Sequence, residues 1–147
     1  MKLYGTPGSC SLAPHIALHE AGHKFDYVMA DLRTRKLADG RDINSVNSKG
    51  YVPVLELDDG QRLTEVAAVL QYIADLAPEK ILIPSAGTMA RYRAQEWLAF
   101  ISTELHKAFG PLFKPGASEQ DKQQAKERVM ARLSLCPMCG GQMRIIA

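Results

Sequence analysis

The chain has 147 residues, of which 46% are hydrophobic and 23% charged, and its formal net charge is +2. This composition is that of a globular protein with one domain or two small ones, and it excludes a disordered tail. Basic and acidic residues are interspersed, so we expect no nucleic-acid partner. The sequence shows neither a signal peptide nor a bilayer-spanning run, which predicts a cytoplasmic protein without a membrane partner. Three cysteines, an odd number in a chain without an export signal, argue against a disulfide framework.

The first half of the chain has the pattern of a small α/β unit. A short apolar start precedes a helical pattern of apolar residues that begins at Ser11, with Gly22 as its terminator. Residues 25–29 alternate as a strand does. The charged residues 31–40 indicate a mobile surface segment.

The pattern continues through residue 77. A short helix is predicted over 42–46, and the extended runs 52–57 and 62–64 are joined by an Asp-Gly pair, which is a hairpin signal. Thr64 is then expected to cap a third helix, with Glu65 in its first turn. The order β-α-β-α-β-β-α predicts an α/β unit whose mixed sheet has four strands and whose helices number three.

Residues 78–147 differ in character. A linker at 78–86 precedes a long helix with an apolar stripe of Trp97, Ile101, Leu105 and Ala108. Ser118 and Asp121 have the spacing of a capping pair for a second, more polar helix. Because two helices bury little by themselves, residues 87–135 are expected to form an incomplete helical domain after a first domain at 1–77.

Cys10 is the first candidate for chemistry, because it stands where a glycine-rich turn enters a helix. The amides and dipole of a helix N-terminus favour an anion, so this thiol is expected to lose its proton more easily than a free one. A small buried cysteine that only packs is the alternative. The polar neighbours Ser9 and Ser11 favour function.

Three histidines follow at four-residue spacing: His15, His19 and His23. They share a broad face on an ideal helix, but no carboxylate or cysteine at ligand spacing completes a metal site. Gly22 is also expected to end the helix before His23. We therefore predict no metal here, although His15 alone could reach the pocket of Cys10.

Two later segments have the residues to hold a ligand. Pro53 begins a strand, where a cis bond would leave the backbone of Val52 free to pair with an extended ligand. An edge proline that only prevents aggregation is an equal alternative. Glu65 and the amide of Val66 open a helix and can hold an ammonium and a carboxylate group. An acid at this position more commonly complements the helix dipole alone.

Four separated parts of the sequence resemble one family. They are PGSCSLAPH at 7–15, NSKGYVP at 47–53, LTE at 63–65, and EWL at 96–98 with STELHK at 102–107. These motifs are similar to those of the beta-class bacterial glutathione transferases, in register from residue 1 to about residue 133. Several motifs in one order are far more specific than any one alone.

The resemblance implies a thioredoxin-like first domain that holds glutathione as co-substrate, and a helical second domain that forms the pocket for a small electrophile. It implies that Cys10 contacts glutathione or forms a mixed disulfide with it. Val52 would pair with the cysteinyl backbone of glutathione beside a cis Pro53. Glu65 and the amide of Val66 would hold the γ-glutamyl end.

The same resemblance implies roles for three further side chains. His106 and Lys107 would face the site from the helical domain, although cations near a helix C-terminus prove little by themselves. Arg35 takes the place of a lysine that helps to bind the tripeptide. Cys10 and His106 are thus the predicted catalytic residues. The reaction would be thiolate attack on an electrophilic carbon or thiol–disulfide exchange, carried out by a homodimer.

The sequence departs from the family pattern at three places. Gly5 stands where a tyrosine is usual, and the neighbouring Tyr4 points to the opposite face of its strand. Ala99 stands where an asparagine is common near the site. These two changes are expected to weaken activity without abolishing binding.

The third departure is the tail at 136–147, which resembles the zinc-knuckle end of an insertion-element transposase. We interpret it as a foreign segment joined in frame to an interrupted transferase, so that the chain is C-terminally truncated. Its one CxxC pair supplies two of the four ligands of a structural zinc site, which favours an unused remnant over a zinc bridge between chains.

The sequence therefore predicts a glutathione transferase that conjugates glutathione to electrophiles or exchanges it with disulfides. One alternative is a glutathione-binding module or inactive relic with negligible turnover. Another is a zinc-assembled or nucleic-acid-associated relic in which the tail matters. Truncation predicts that the apolar stripe of the long helix, including Ile101 and Leu105, is partly uncovered unless a second chain hides it.

Overall fold

A computed structural model describes residues 1–135 of the chain. The predicted tail at 136–147, with its CxxC pair, lies outside these residues. The chain divides into two units, Met1–Ala94 and the residues from Gln95 onward. The domain limits of 1–77, 78–86 and 87–135 stay a prediction.

The first unit is built on a mixed β-sheet. Its strands are β1 (Lys2–Gly5), β2 (Asp26–Asp31), β3 (Lys36–Leu37), β4 (Val54–Glu56) and β5 (Arg62–Thr64), in the spatial order β3-β2-β1-β4-β5. β1 and β2 run parallel, joined through the helix α1 (Leu12–Glu20), and the other neighbouring pairs are antiparallel. The helix α2 (Val66–Asp75) follows β5, and single 3₁₀ turns occupy Ile43–Ser45 and Pro78–Lys80. This confirms the predicted α/β class.

The sheet has five strands, where four were predicted. The additional strand, β3, lies in the charged segment that the sequence indicated as mobile surface. Its two residues pair antiparallel with Ala30 and Asp31 of β2, and Leu37 is buried. The strand depends on this pairing, and two residues are too short to show a periodicity in the sequence.

The local signals in the first unit give the structures that they indicate. After α1, the N–H of Gly22 bonds to the His19 carbonyl and the N–H of His23 to the Leu18 carbonyl, a Schellman motif in which Gly22 has φ +74°. The Asp-Gly turn joins β4 to β5 as a hairpin. The second predicted helix is one 3₁₀ turn, whose Asn44 N–H donates to the Asp42 side chain at 2.7 Å.

Both faces of the sheet are buried. One face packs against α1 and α2 through a core of Leu3, Leu18, Ala21, Leu55, Val69, Ile73 and Ala77. The opposite face is covered around the 3₁₀ turn by Tyr4, Ala30, Leu37, Ile43, Val46, Val52 and Val54. Consecutive strand residues such as Leu3 and Tyr4 thus enter different cores, as the pleat requires.

The long helix begins as α3 (Met89–Phe100), continues through a π-helical turn at Ile101–Leu105 and ends as α4 (His106–Ala108). Two more helices follow, α5 (Gly110–Phe113) and α6 (Glu119–Leu133). Ser118 and Asp121 form the predicted capping box of α6, in which each side chain accepts from the other's backbone N–H. Within residues 1–135, every helix is too short or too polar to serve as a membrane span.

The buried apolar residues of the second unit's described part are Ala108, Ala125 and Val129. Of the predicted stripe on the long helix, Ile101 is 44% exposed, whereas Leu105 is half-buried. The stripe is therefore partly uncovered, as expected.

Candidate functional site

Cys10 lies in the turn between β1 and α1, two residues before the first residue of the helix. Its side chain is partly buried, and its Sγ donates to the backbone carbonyl of Val52 at 3.5 Å. The first unit therefore brings together two of the predicted site residues that are 42 positions apart in the sequence.

The turn that carries Cys10 is held by the hydroxyls of three residues. Ser9 Oγ and Ser11 Oγ lie 2.8 Å apart, and they lie 2.8 and 3.0 Å from the carbonyl oxygen of Thr6. The Thr6 N–H donates to Ser11 Oγ at 2.9 Å, and the Thr6 hydroxyl donates to the Ala30 carbonyl in β2 at 2.6 Å. These bonds close the turn on itself and attach it to β2.

Burial raises the pKa of the Cys10 thiol above its ordinary value. Loss of hydration is the largest cause, and the negative charge of Glu65 acts in the same direction, whereas a hydrogen bond from the Cys10 backbone N–H lowers the pKa. The prediction of an easily ionised thiol is therefore wrong. Cys10 precedes α1 and is partly covered by the protein, so desolvation is the dominant effect on the pKa of its thiol.

Val52 and Pro53 stand at the entrance to β4. The peptide bond between them is cis, which confirms the conformation that the sequence left open. The ladder pairs of β4 with β1 and β5 begin only at Val54, so the Val52 backbone lies before them. Val52 is buried, and its carbonyl faces the Cys10 thiol.

Glu65 has φ +69° and ψ 120°, a backbone conformation that non-glycine residues rarely adopt. It occupies the N-cap position of α2, so the predicted cap at Thr64 is wrong, and Thr64 is instead the last residue of β5. No side chain caps α2, which begins at Val66. Outlying backbone angles of this kind are concentrated at functional sites, because the surrounding structure must hold them.

Lys49 is a residue of the site that sequence reasoning did not single out. Its Nζ donates to Glu65 Oε1 at 2.9 Å and to Thr64 Oγ1 at 3.1 Å. The lysine thus connects the segment before Val52 to the start of α2. The motif at 47–53 contained it, but the turn residues around it gave no sign of its partner.

Gly5 is enclosed by side chains at the end of β1. A Cβ at this position would lie 2.7 Å from both Ser11 Oγ and the hydroxyl of Tyr27. These distances are shorter than real side chains allow. The space next to Gly5 is thus filled by the tyrosine of the neighbouring strand.

Arg35 directly precedes β3, the edge strand of the sheet, and has φ +59°. Its Nη2 donates to Asn44 Oδ1 at 3.1 Å, and its guanidinium would overlap a Cβ at Gly50. The structure therefore holds Arg35 beside the segment that leads to Val52. Its role toward the tripeptide stays a prediction.

His106 and Lys107 belong to the second unit, where both side chains are exposed on α4. They follow directly on the π-helical turn at Ile101–Leu105, a distortion that recurs at functional sites in helices. Ala99 is exposed on α3. The prediction that His106 and Lys107 face the site also remains a prediction.

Comparison with known proteins places this arrangement in a family. Residues 8–76 match the description "Glutathione S-transferase, N-terminal domain". The chain is 46% identical over 133 residues to Glutathione S-transferase GstA of Escherichia coli O157:H7. The aligned region covers 90% of this chain and 66% of that protein.

Solved structures give the same result in three dimensions. The bacterial beta class glutathione S-transferase of Sphingomonas chungbukensis has a TM-score of 0.90 at 48% identity, covering 99% of this chain and 71% of that one. A sphingomonad glutathione S-transferase complexed with glutathione has a TM-score of 0.88 at 49% identity, covering 92% of this chain and 67% of that one. The chain therefore belongs to the glutathione S-transferase family, and within it to the bacterial beta class.

Membership in this family confirms the resemblance that was inferred from the motifs. It also confirms the predicted thioredoxin-like fold of the N-terminal domain. The chain spans 66% of the length of the E. coli relative.

Proposed function

We propose that this chain binds glutathione and acts as a glutathione S-transferase on a small electrophile. The observation that carries the proposal is the meeting of Cys10 with the Val52 carbonyl in the same unit as the strained Glu65. The glutathione complex of a relative at 49% identity supports it. The first domain, at 1–77, would hold glutathione, and the helical residues 87–135 would contribute to the pocket for the electrophile.

The ligand contacts follow from the backbone geometry. Val52 precedes the ladder of β4, so an extended peptide can add beside it as a strand does. The start of α2 has no side-chain cap, so the amides of its first turn, beginning with Val66, are suited to a carboxylate. Glu65 would then receive the ammonium group of the γ-glutamyl end, in exchange for Lys49.

The Cys10 thiol donates a hydrogen bond to the Val52 carbonyl, and burial raises its pKa, so the protonated form is held in place, which favours conjugation over exchange at this residue. In conjugation, the sulfur of glutathione attacks an electrophilic carbon as the thiolate, and the leaving group departs with its electron pair. A protonated Cys10 would donate a hydrogen bond to that thiolate and stabilise it. Exchange would instead require the thiolate of Cys10 itself as the nucleophile. His106 and Lys107 would act from the helical domain, with Arg35 assisting tripeptide binding.

The binding part is tested by calorimetric titration of glutathione into the reduced chain. We expect saturable one-to-one binding, and Glu65→Gln should weaken it about tenfold or more because a charge-assisted hydrogen bond to the ammonium is lost. Glu79→Gln changes an exposed acid in the Pro78–Lys80 turn and serves as the matched control. Absence of binding by the unmodified chain would refute the proposal.

Turnover is tested separately with an activated aryl halide, by following formation of the thioether. Cys10→Ser keeps a hydrogen-bond donor, so conjugation should persist at a reduced rate while disulfide exchange is lost. Binding without thioether formation would leave the alternative of a glutathione-binding module.

The hypothesis also includes the homodimer, the cytoplasmic location and the transposase-like origin of 136–147. Deletion of 136–147 should leave glutathione binding unchanged.

A further inference from the structure

Two histidines on α1 converge on one point. His15 and His19 are one helical turn apart, and their Nε2 atoms lie 3.3 Å from each other. Neither residue has a part in the proposed transferase chemistry. Their ring centroids are 5.0 Å apart and tilted by 41°, so both nitrogens are directed to the same region beside the helix.

Aromatic side chains hold the two imidazoles in this arrangement. The His15 ring stacks on Tyr27, with centroids 4.7 Å apart and an interplanar angle of 21°. Phe25 meets both imidazoles in edge geometry, at 5.5 Å from His15 and 5.1 Å from His19. Because these rings restrict the histidine side chains, little conformational freedom remains to be lost when both nitrogens bind one ligand.

We propose that His15 and His19 form a two-imidazole site for a divalent transition metal ion. Two nitrogens at about 2.0–2.1 Å from a tetrahedral Zn²⁺ lie roughly 3.3 Å from each other, which matches the separation here. Imidazole is a preferred ligand of Zn²⁺, Ni²⁺ and Cu²⁺, and histidines at i and i+4 on a helix are a recurrent chelating pair. One Nε2 carries the proton of the present hydrogen bond. When the metal binds, that Nε2 releases its proton to solvent and Nδ1 of the same imidazole takes one up. Both Nε2 atoms can then bind the metal, and the number of protons on the pair is unchanged.

His19 is exposed and His15 is half-buried. Residues 1–135 contain no group of three or more histidine, cysteine, aspartate or glutamate side chains that could hold a metal together. Water or a ligand from outside the chain would therefore complete the coordination. This proposal differs from the sequence-based prediction of no metal. That prediction rested on the missing carboxylate or cysteine ligand and on Gly22 ending the helix before His23, and it could not include the convergence of the two rings.

His23 provides a natural control. It lies beyond the end of α1, which finishes at Glu20, and its Nε2 is buried without a hydrogen-bond partner. It therefore shares the spacing of the pair in the sequence but not its geometry. If metal binding depended only on the number of histidines in this region, replacing any one of the three would have the same effect.

The test is a calorimetric titration of Ni²⁺ into the full chain carrying Cys136→Ser and Cys139→Ser, which removes the tail thiols. Ni²⁺ is preferred to Cu²⁺ because Cu²⁺ can oxidise thiols. We expect one ion per chain, a loss of affinity on the order of a hundredfold in His19→Gln because the chelate is broken, and no change in His23→Gln. His19 is exposed, so its replacement should leave the fold intact.

Thermal unfolding supplies a second readout. A ligand that binds only the folded protein raises its melting temperature, so Ni²⁺ should stabilise the parent and His23→Gln but not His19→Gln. Persistence of the metal effect in Cys10→Ser would exclude the site thiol as its source. Equal Ni²⁺ affinity in the parent and His19→Gln, or a loss in Cys10→Ser that matches the loss in His19→Gln, would overturn the proposal.

Discussion

The two units of the chain are stabilised in different ways. The largest fully buried side chains, among them Leu3, Tyr4 and Ile73, all belong to the first unit, where they cover both faces of the sheet. The buried apolar residues in the described part of the second unit are two alanines and a valine. Its helices rely more on local interactions, such as the Ser118–Asp121 capping box and the ion pair between Lys122 and Glu119 one turn apart.

The difference shows where a precise site can be held. Cys10, Val52 and Glu65 are fixed by strands and helices that share two large cores, so their positions depend on contacts distant in sequence. Because tertiary packing of an apolar face supplies most of the stability of helices in proteins, helices with few large buried side chains depend more on capping and on neighbours one turn away. Substitutions in each unit can test this contrast.

The largest expected effect is that of a core truncation in the first unit. Ile73→Ala should lower the free energy of unfolding by about 3–4 kcal/mol, because it opens a cavity at a fully buried position. Val129→Ala in the second unit should cost only about 1–2 kcal/mol. Urea denaturation measures both free energies of unfolding. Leu12→Ala serves as the control, because Leu12 is 52% exposed. Equal losses at the two buried positions would contradict the contrast.

A smaller effect is expected for adding one methyl group at Gly5. Gly5→Ala should destabilise by about 1–3 kcal/mol, since its Cβ overlaps Ser11 and Tyr27. Combining it with Tyr27→Phe should restore part of the loss by removing the hydroxyl. Gly110→Ala in α5 meets open space and should stay within about 0.5 kcal/mol of the parent. If both alanines behave alike in urea denaturation, the packing argument is wrong.

Removal of a cap probes the second unit. Ser118→Ala should destabilise α6 by about 1 kcal/mol, because the N–H of Asp121 loses its acceptor. Ser134→Ala removes only a hydroxyl that donates to the Ala131 carbonyl at the other end of α6 and is the matched control. Helix content by circular dichroism during urea titration distinguishes the two; no difference between them would argue against capping as a source of stability.

The smallest effect concerns pH. The hydrogen bond from Arg91 lowers the pKa of Asp75 below its ordinary value of 3.8, against the opposing effect of desolvation. The folded state thus binds this proton less readily than the unfolded state, so the pair stabilises above pH 3.8 and this contribution is lost as pH falls through the folded pKa.

Asp75 is half exposed, so we expect Asp75→Asn to cost only about 0.5–1 kcal/mol at neutral pH. The difference between parent and variant should shrink in acid, when Asp75 of the parent is itself protonated. Unfolding by urea at neutral and at strongly acidic pH provides the measurement. A difference that is constant with pH would show that charge on Asp75 is irrelevant.

Sequence reasoning succeeded where the determining interactions are local. The Schellman motif at Gly22 and the hairpin at Gly60 depend on residues a few positions apart. The same is true of the capping box at Ser118. The order of strands and helices followed from these signals together with the apolar pattern. The cis bond before Pro53 was one of two open alternatives.

It failed where distant groups decide. β3 exists through its pairing with β2, and the partner of Lys49 is 16 residues away at Glu65. The left-handed backbone of Glu65 contradicts its intrinsic preference and is set by its surroundings. The pKa of Cys10 depends on how much protein covers the thiol, which no spacing in the sequence reports.

The hydroxyl cluster beneath the Cys10 turn has one further property. Ser9 and Ser11 have two hydroxyl protons for three oxygen–oxygen contacts, so one contact is always without a proton. The protons can therefore be distributed in more than one way while every heavy atom stays in place. The turn thus combines a rigid frame with an adjustable local polarity.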